Sequence, residues 1–442
     1  MSWHFYRQEI VELLCSGFTL IPNQVSDIIE LTKPRDVLRY GEFQGSIDKL
    51  VRLTELSKEE TKQKLESMFQ TGHYELVQSK SLFSFRIQTK FLISNTLSQC
   101  FPDVSKFNQV KGAVSKRVGI LVSDTENWRG ETLGNFVRES HKFVGCKVFT
   151  LTKYVGNISK ELFPNLELDK EKLRIGTEGT KLGIELATLW KCEEKLDLII
   201  YIGEDHLKQH VAKLQQLLLE ISENCPDILH LPYGPLTKPT LSKEEILHAS
   251  QLEMQELMKE SENRYEDLLN STITINESED ICLLHWISQV LSQTNWVVQL
   301  LQIRRQKSSK FSYERMLDAK GHSGVYLQYT HARITGIERK SDIQLNSNCD
   351  LGTLVEPEVR QLIWLLATFS WHLEQSYTTL EPCILIHYLF QLSIAISNGL
   401  SVLRVKDKNP LVSEPRWMLF WCSREILRLG FQLLGLTPLD KM

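Results

Sequence analysis

The sequence predicts an α/β core followed by an all-α region, with a small α+β domain in front. Short apolar runs alternate with helical stretches through the middle of the chain, which is typical of a parallel doubly wound sheet. Nearly every segment after Ile281 has helical periodicity, whereas the first hundred residues mix both patterns. At roughly 100–200 residues per domain, the chain is long enough for three domains, whose predicted boundaries are 1–110, 116–300 and 301–442.

The N-terminal domain contains a helix with a well-marked start and a recognisable strand. Ser57–Phe69 begins with a serine followed three residues later by Glu60, the pattern of a capping box. Leu82–Ile87 alternates in part between apolar and polar residues and is predicted as a strand. Phe91–Cys100 is a predicted short helix, and a polar linker follows it.

The central domain is predicted from its alternation of strands and helices. The predicted strands are Val118–Ser123, Lys147–Leu151 and Leu196–Ile202. The predicted helices are Gly134–Phe143, Lys181–Lys191 and Asp205–Glu223. Pro226–Pro239 is rich in proline and is predicted to be irregular. Lys243–Leu269 is a predicted long acidic helix, which is either an ordinary packed helix or a docking surface for a partner.

The C-terminal region is predicted to be a helical bundle. Glu358–Trp371 and Cys383–Leu400 are rich in apolar residues, as buried bundle helices are. Asn346–Leu354 is a predicted loop, and Pro410–Pro415 is expected to break the last two helices.

Charge is unevenly distributed along the chain. The net charge is −4, yet residues 301–442 carry 17 basic and 13 acidic residues, a net of +4, so the remainder carries −8. A basic C-terminal region suits contact with phosphates, although an excess this small also fits chance.

The nine cysteines are scattered and form no C-x-x-C pair, which argues against a disulfide framework and against a cysteine zinc site. We therefore expect a reducing, intracellular compartment. The first residues have no signal-peptide pattern, and no run of about 18 apolar residues predicts a membrane span.

Common catalytic motifs are absent from the sequence. There is no G-x-G-x-x-G, P-loop, G-x-S-x-G or H-E-x-x-H pattern, and no cofactor, metal or catalytic residue is predicted. His206 and His210 have a spacing that can bind a metal, but no third ligand is evident. His322 and Ser323 lie outside any strand–turn–helix pattern, so a catalytic role for them is not favoured.

The most informative segment is residues 311–340. Within eight residues it places aromatic, amide, imidazole and guanidinium groups, on Tyr326, Gln328, Tyr329, His331 and Arg333. Aromatic rings that stack on unpaired bases, beside groups that bind base edges and phosphates, are typical of single-stranded RNA recognition. A basic run precedes the segment, formed by Arg304, Arg305, Lys307 and Lys310. The alternative is that the tyrosines pack a helix against the bundle.

This segment resembles the start of the anticodon-binding domain of arginyl-tRNA synthetases. The residues that match the family pattern are Tyr313, Arg315, Met316, Leu317, Gly321, Gly324, Tyr326, Leu327, Gln328, Tyr329, His331 and Arg333. Asn398–Leu403 and Arg428–Met442 are similar to later segments of the same domain, although Ser397 replaces the aromatic residue usually found there. The resemblance implies that Tyr326, Tyr329, Arg333 and Met442 face the anticodon loop.

The central domain resembles a degenerate synthetase core of class I. Leu133–Gly145 is similar to the helix after the ATP-binding signature, whose two histidines would fall near Asp124 and Asn127. A carboxylate there would repel the phosphates of ATP. After Gly234, no Lys-Met-Ser-Lys-like loop is found. The N-terminal domain is similar to the extension of these synthetases that binds the tRNA elbow.

The chain is thereby identified as a member of the DALR anticodon-binding domain-containing protein 3 family. The resemblance implies a cytoplasmic, non-catalytic subunit that recognises arginine tRNAs and recruits a methyltransferase-like partner to form 3-methylcytidine in the anticodon loop. No S-adenosylmethionine motif is visible, so the methyl transfer is assigned to that partner. Neither a membrane nor DNA is an expected partner. The predicted tRNA-binding residues are Tyr326, Gln328, Tyr329, His331, Arg333, Arg304, Arg305, Arg404 and Met442.

Two alternatives stay open at this point. The chain could be a divergent arginyl-tRNA synthetase that catalyses ATP-dependent aminoacylation. It could also be a structural member of a synthetase assembly that binds only protein.

Overall fold

The structure of the protein is a computed structural model that covers most of the chain. It describes residues 2–32, 36–70, 72–79, 81–101, 103, 116–124, 127–153, 181–192, 195–221, 225–239, 244–246, 251–270, 278–310, 315, 318, 321–341, 343–406 and 408–442. Three residues of the anticodon-domain pattern, Tyr313, Met316 and Leu317, lie outside the described residues.

The chain forms two compact units. The first consists of residues 1–109, 337–371 and 394–426, and the second consists of 110–336, 372–393 and 427–442. The helices that follow residue 301 contribute to both units.

The first unit contains a four-stranded antiparallel sheet in the order β1-β2-β4-β3. Its strands are β1 (Ile29–Leu31), β2 (Phe43–Ser46), β3 (Tyr74–Gln78) and β4 (Leu82–Ile87). Strand β4 lies where the sequence predicts it, and it buries Phe83, Phe85 and Ile87 because alternate residues of a strand point to one face.

Six helices of the first unit lie before residue 110 among the described residues. They are α1 (Ser2–Phe18), α2 (Pro22–Ser26), α3 (Val37–Tyr40), α4 (Ile47–Thr54), α5 (Lys58–Met68) and α6 (Thr89–Cys100). The predicted capping box of α5 is present: the Ser57 hydroxyl accepts from the Glu60 amide, and the Glu60 carboxylate accepts from the Ser57 amide at 2.9 Å.

A buried carboxylate, Glu42, pairs with Arg360 and also accepts from the Ile87 amide, so both of its oxygens have partners.

The second unit contains a four-stranded parallel sheet in the order β6-β5-β7-β8. Its strands are β5 (Arg117–Val122), β6 (Lys147–Thr150), β7 (Leu198–Glu204) and β8 (Asp227–Tyr233). The helices between them are α7 (Trp128–Phe143), α8 (Lys181–Trp190) and α9 (Lys208–Ile221). Apolar side chains of α8 and α9, including Leu186 and Leu214, pack on Leu121 and Ile199 of the sheet. The predicted alternation of strand and helix is therefore confirmed.

Two predictions for the segment after β7 are wrong. Pro226–Pro239 was expected to be irregular, yet it forms β8 and β9 (Leu236–Pro239). Strand β9 pairs with β10 (Glu244–Ile246) and with β11 (Ser309–Lys310). Its one proline, Pro239, is its last residue, where a missing amide costs little. The acidic helix α10 (Gln251–Asn270) consequently begins after β10, later than predicted.

The remaining chain forms the predicted helices. They are α11 (Ser278–Leu301), α12 (Gly324–Ser341), α13 (Pro357–Thr379), α14 (Pro382–Val402) and α15 (Pro410–Leu433). Pro415 does not break α15, contrary to expectation. The Leu411 carbonyl, which Pro415 has no amide to bind, accepts instead from the Thr353 hydroxyl at 3.3 Å.

By length and composition, one helix of the described residues could cross a membrane. Helix α14 has a mean hydropathy of 1.5 over its most apolar window, and 61% of that window is buried inside the protein. Six polar residues interrupt its apolar run, so it contains no unbroken apolar stretch of the length of a membrane span: His387, Gln391, Ser393, Ser397, Asn398 and Ser401.

A buried arginine ties the sheet of the second unit to the end of α11. Arg129 follows the Asn127 cap of α7, and its side chain is 1% exposed. Its guanidinium donates to the carbonyl oxygens of Gly234 and Leu300, and to those of Arg304 and Lys307. Burial lowers its pKa to about 10, which leaves it charged at neutral pH. One side chain thus satisfies four carbonyl groups that come from two separate segments.

We predict that Arg129→Leu lowers the free energy of unfolding by roughly 3–5 kcal/mol, because four carbonyl groups lose a charged donor in a buried place. Chemical denaturation measures the change. The matched control is Arg138→Leu on the same helix, whose half-exposed side chain binds Asn135 and Thr150, and we expect a loss below about 1 kcal/mol. Equal losses for the two variants would contradict the assigned role of Arg129.

Candidate nucleic-acid interface

Helix α12 carries five of the predicted tRNA-binding residues, and its start is fixed by neighbouring groups. The Gly324 amide donates to the Asn295 side chain at 2.8 Å, and the Tyr326 amide donates to the Ser323 hydroxyl at 3.2 Å. A Cβ atom at Gly324 would lie 2.6 Å from the carbonyl carbon of Thr294. Glycine at this position therefore allows α12 to approach α11 closely.

Gln328 faces the interior rather than RNA. Its side chain is fully buried, and its amide nitrogen donates to the Thr294 hydroxyl at 2.9 Å and to the Thr437 carbonyl at 2.8 Å. Its amide oxygen accepts from the Leu439 amide at 2.9 Å. The prediction that Gln328 contacts tRNA is therefore wrong: this side chain binds the C-terminal segment to α12.

His331 has a similar structural role. Its side chain is 1% exposed, and Nδ1 donates to the Leu439 carbonyl at 2.8 Å, which fixes the proton on that nitrogen. The Asp440 carboxylate lies 3.9 Å from the same atom. The prediction that His331 contacts tRNA is also wrong, because the chain end covers it.

Tyr329 and Arg333 point away from the interior. Tyr329 is 50% exposed, and Arg333, one helical turn later, is exposed as well. Residues four apart lie on the same helix face, so the phenol ring and the guanidinium are neighbours. Tyr326 is half-buried, and its hydroxyl donates to the Ser393 carbonyl at 3.2 Å. We call the surface of Tyr329 and Arg333, with the exposed part of Tyr326, the outer face of α12.

The basic run before α12 divides into exposed and engaged residues. Arg304 has an exposed side chain, and Lys307 and Lys310 are exposed too. Arg305 is engaged: it donates to the Pro232 carbonyl at 2.7 Å and pairs with Glu381, and burial lowers its pKa. A carboxylate and a carbonyl thus bind part of the Arg305 guanidinium, and its contact with tRNA stays a prediction.

The last two predicted residues lie in different units. Met442, in the second unit, is half-buried against an apolar cluster that includes Leu439 and Val325, so it anchors the chain end. Arg404 belongs to the first unit; its side chain is exposed, and its carbonyl accepts from Arg416 at 2.9 Å.

The carboxyl ends of the parallel strands are where a doubly wound sheet binds ligands. Asp124, exposed, follows β5, and Asn127 caps α7 by accepting from the amides of Arg129 and Gly130. The nearby Tyr233 hydroxyl is buried beside the carboxylates of Asp124 and Glu204, and its pKa is raised mainly by burial. No imidazole stands at Asp124 or Asn127, where the resemblance would place the two histidines.

A buried polar cluster was missed by the sequence analysis. Glu185, 1% exposed, accepts from the Tyr201 hydroxyl at 2.9 Å and contacts His210 Nε2 at 2.6 Å. The sequence feature that could have indicated this cluster is Glu185 itself, because it is the one carboxylate within the apolar helix α8. His206 contacts Glu204 instead, at 3.3 Å, so the two histidines considered as metal ligands bind separate carboxylates. No group of His, Cys, Asp and Glu residues suited to a metal occurs in the described part of the chain.

Sequence comparison connects this chain with arginyl-tRNA synthetases. Residues 327–442 match the family model of the DALR anticodon binding domain. The chain is 31% identical over 277 residues to a probable cytoplasmic arginine–tRNA ligase of Dictyostelium discoideum, covering 60% of this chain and 45% of that protein. It is 31% identical over 317 residues to the cytoplasmic arginine–tRNA ligase of Saccharomyces cerevisiae, covering 69% of this chain and 48% of that protein. The chain thus spans about half the length of these relatives.

Solved structures show the same fold. The arginyl-tRNA synthetase of Thermus thermophilus is similar with a TM-score of 0.72 and 13% identity, over 99% of this chain and 100% of that chain. The enzyme of Plasmodium falciparum gives a TM-score of 0.67 and 14% identity, over 98% and 99%. The predicted fold class is therefore confirmed. The chain is therefore similar in sequence and in fold to arginyl-tRNA synthetases, and its C-terminal region matches the DALR anticodon binding domain.

We predict that Tyr329→Ala weakens binding of an arginine tRNA transcript by roughly 1–3 kcal/mol, because a ring that stacks on a base is lost. Thermal stability should change little, since half of the ring is exposed. Filter binding or fluorescence anisotropy measures the affinity. The matched control is Trp286→Ala on α11, which removes another exposed ring, 44% exposed, and should leave the affinity unchanged. Wild-type affinity for folded Tyr329→Ala would exclude stacking at this position.

Proposed function

We propose that this protein is a non-catalytic tRNA-binding subunit that recognises arginine tRNAs and recruits a methyltransferase-like partner. The partner would form 3-methylcytidine in the anticodon loop, in the cytoplasm. The observation that carries the proposal is the outer face of α12, which presents Tyr329 and Arg333 to solvent within the segment that matches the anticodon binding domain. An aromatic ring that can stack on a base, next to a cation that can bind a phosphate, is suited to the unpaired bases of a loop.

The ends of the parallel strands support a non-catalytic role. Asn127 uses its side-chain oxygen to cap α7, and Asp124 places a negative charge after β5. Activation of an amino acid by ATP develops negative charge on phosphates, which donors and cations stabilise and a carboxylate opposes. Because β9 begins two residues after Gly234, a strand occupies the position where a mobile Lys-Met-Ser-Lys-like loop would be expected.

A protein partner would find a charged surface on α10. This helix packs on α11 through Ser261, Tyr265 and Leu269, and it exposes Glu260 and Asp267 on its other side. In this proposal, the synthetase-like body selects the tRNA and the bound methyltransferase acts on one cytidine, so that specificity comes from two linked binding events.

The second candidate function is aminoacylation, because the relatives matched by sequence are named arginine–tRNA ligases. ATP–pyrophosphate exchange with arginine distinguishes the two functions. We expect no exchange above a protein-free blank, whereas arginine-dependent turnover would refute the non-catalytic proposal. A protein-only assembly role predicts instead that no tRNA is bound.

The proposed function is tested most directly by nucleoside mass spectrometry of purified tRNAs from cells that lack this protein. We expect 3-methylcytidine to disappear from arginine tRNAs and to persist in other tRNAs that carry it. Re-expression of the wild-type chain should restore the modification, and re-expression of Tyr329→Ala should restore less. Unchanged 3-methylcytidine in arginine tRNAs would contradict the role in methylation.

A further inference from the structure

A polar cavity of about 350 Å³ lies between the C-terminal half of α11 and the start of α12. Helix α11 contributes Gln299, the residue that follows the helix is Gln302, and the segment before α12 contributes Arg315, Asp318 and His322. This volume is at the lower end of the range for small-ligand sites. Sequence patterns drew attention to His322 and Arg315, yet the outer face of α12 includes neither residue.

The walls of the cavity are held by hydrogen bonds that do not depend on a ligand. Asn295 Nδ2 donates to the Tyr265 hydroxyl at 3.1 Å and to the Arg315 carbonyl at 3.2 Å, while Oδ1 accepts from the Gly324 amide. This one side chain therefore joins α10, α11, the Arg315 segment and α12. On the other side, the His322 ring packs against Phe390, with ring centroids 4.8 Å apart. The described part of the cavity wall is thus held in place without a ligand.

The side chains that line the cavity favour a ligand with both an anionic and a polar, flat part. Arg315 and His322 are donors suited to phosphate oxygens. The amides of Gln299 and Gln302 and the carboxylate of Asp318 are groups that bind the hydrogen-bonding edges of bases. Among the described lining residues, Val298 is the one apolar side chain, so an apolar ligand would find little to bind.

The position of the cavity relates it to the outer face of α12. His322 lies two residues before the start of α12, and Tyr326, Tyr329 and Arg333 follow on one face of the helix at intervals of three and four residues. At 1.5 Å per residue, the start of α12, beside which the cavity lies, is about 14 Å along the helix from Arg333. A strand of RNA on the outer face could therefore reach the cavity.

We propose that this cavity binds one unpaired nucleotide, with Arg315 and His322 on its phosphate and with Asp318 and Gln302 on its base. The proposal rests on the proposed function as an RNA-binding protein. Two sources share this chemistry: a nucleotide of the bound tRNA, held outside the stack, and a free nucleoside monophosphate. A nucleotide of the tRNA would extend recognition beyond the stacking ring of Tyr329.

The experiment compares the full-length wild-type chain with Arg315→Gln, with His322→Gln and with the control Arg264→Gln. Arg264 is an exposed arginine on α10, and its replacement removes the same charge. Each protein is titrated with an arginine tRNA transcript at several salt concentrations. Each is also titrated with adenosine and cytidine monophosphates by calorimetry. Melting temperatures verify that every variant is folded.

We expect Arg315→Gln to bind the transcript about tenfold more weakly and to reduce the slope of log affinity against log salt by about 0.7, the value for one phosphate of a single strand. His322→Gln should weaken binding in the same direction, and Arg264→Gln should behave as the wild type. If a free monophosphate binds the wild type and not Arg315→Gln, while transcript affinity is unchanged, the cavity serves free nucleotides.

Other outcomes overturn the inference. Wild-type affinity and salt slope in both folded cavity variants, together with no binding of monophosphates, would exclude a nucleotide site. A loss of affinity with an unchanged salt slope would exclude the phosphate contact. Failure of the wild-type chain to bind any tRNA would instead refute the proposed function. The monophosphate titrations would then still decide whether the cavity binds a nucleotide.

Discussion

The hydrogen bonds between α12 and the C-terminal segment are the constraint on which the candidate interface depends. Gln328 and His331, three residues apart, bind Thr437 and Leu439 and thereby fix the rotation of the helix about its axis. Because the side of α12 that carries Gln328 and His331 faces the protein interior, helical geometry directs Tyr329 and Arg333 toward solvent. The buried amide and imidazole therefore determine which residues of the helix face outward.

The sequence located this helix correctly but did not separate its two faces. Five side chains that suit RNA binding cluster in eight residues, and composition treats them as one surface. Burial of Gln328 and His331 depends on partners more than 100 residues away in the sequence, and no local pattern shows such partners. The pairing of Arg305 with Glu381 was not predictable for the same reason, since Glu381 lies 76 residues further along the chain. Polar residues that cluster in one helix therefore need not all face the solvent.

The fold itself was more predictable than the site because local patterns specify it. Short apolar runs and helical periodicity identified strands β5, β6 and β7 and helices α7, α8 and α9, although α7 begins six residues before its predicted start at Gly134. The prolines led to two wrong predictions of irregular structure. One proline lies at the end of strand β9, and two others lie in the first turns of helix α15. The four hydrogen bonds of Arg129 were not predictable, because a buried arginine has no distinctive sequence pattern.

The central claim is that the outer face of α12 binds the anticodon loop of arginine tRNAs. Photo-crosslinking in cells tests it most directly, with a photoreactive phenylalanine analogue in place of Tyr329 and sequencing of the RNA that becomes attached. The account predicts that arginine tRNAs are recovered with crosslinks in the anticodon loop, and that the same analogue at the exposed Trp286 recovers none. Crosslinks to other RNAs at similar yield, or to a different part of the tRNA, would contradict it.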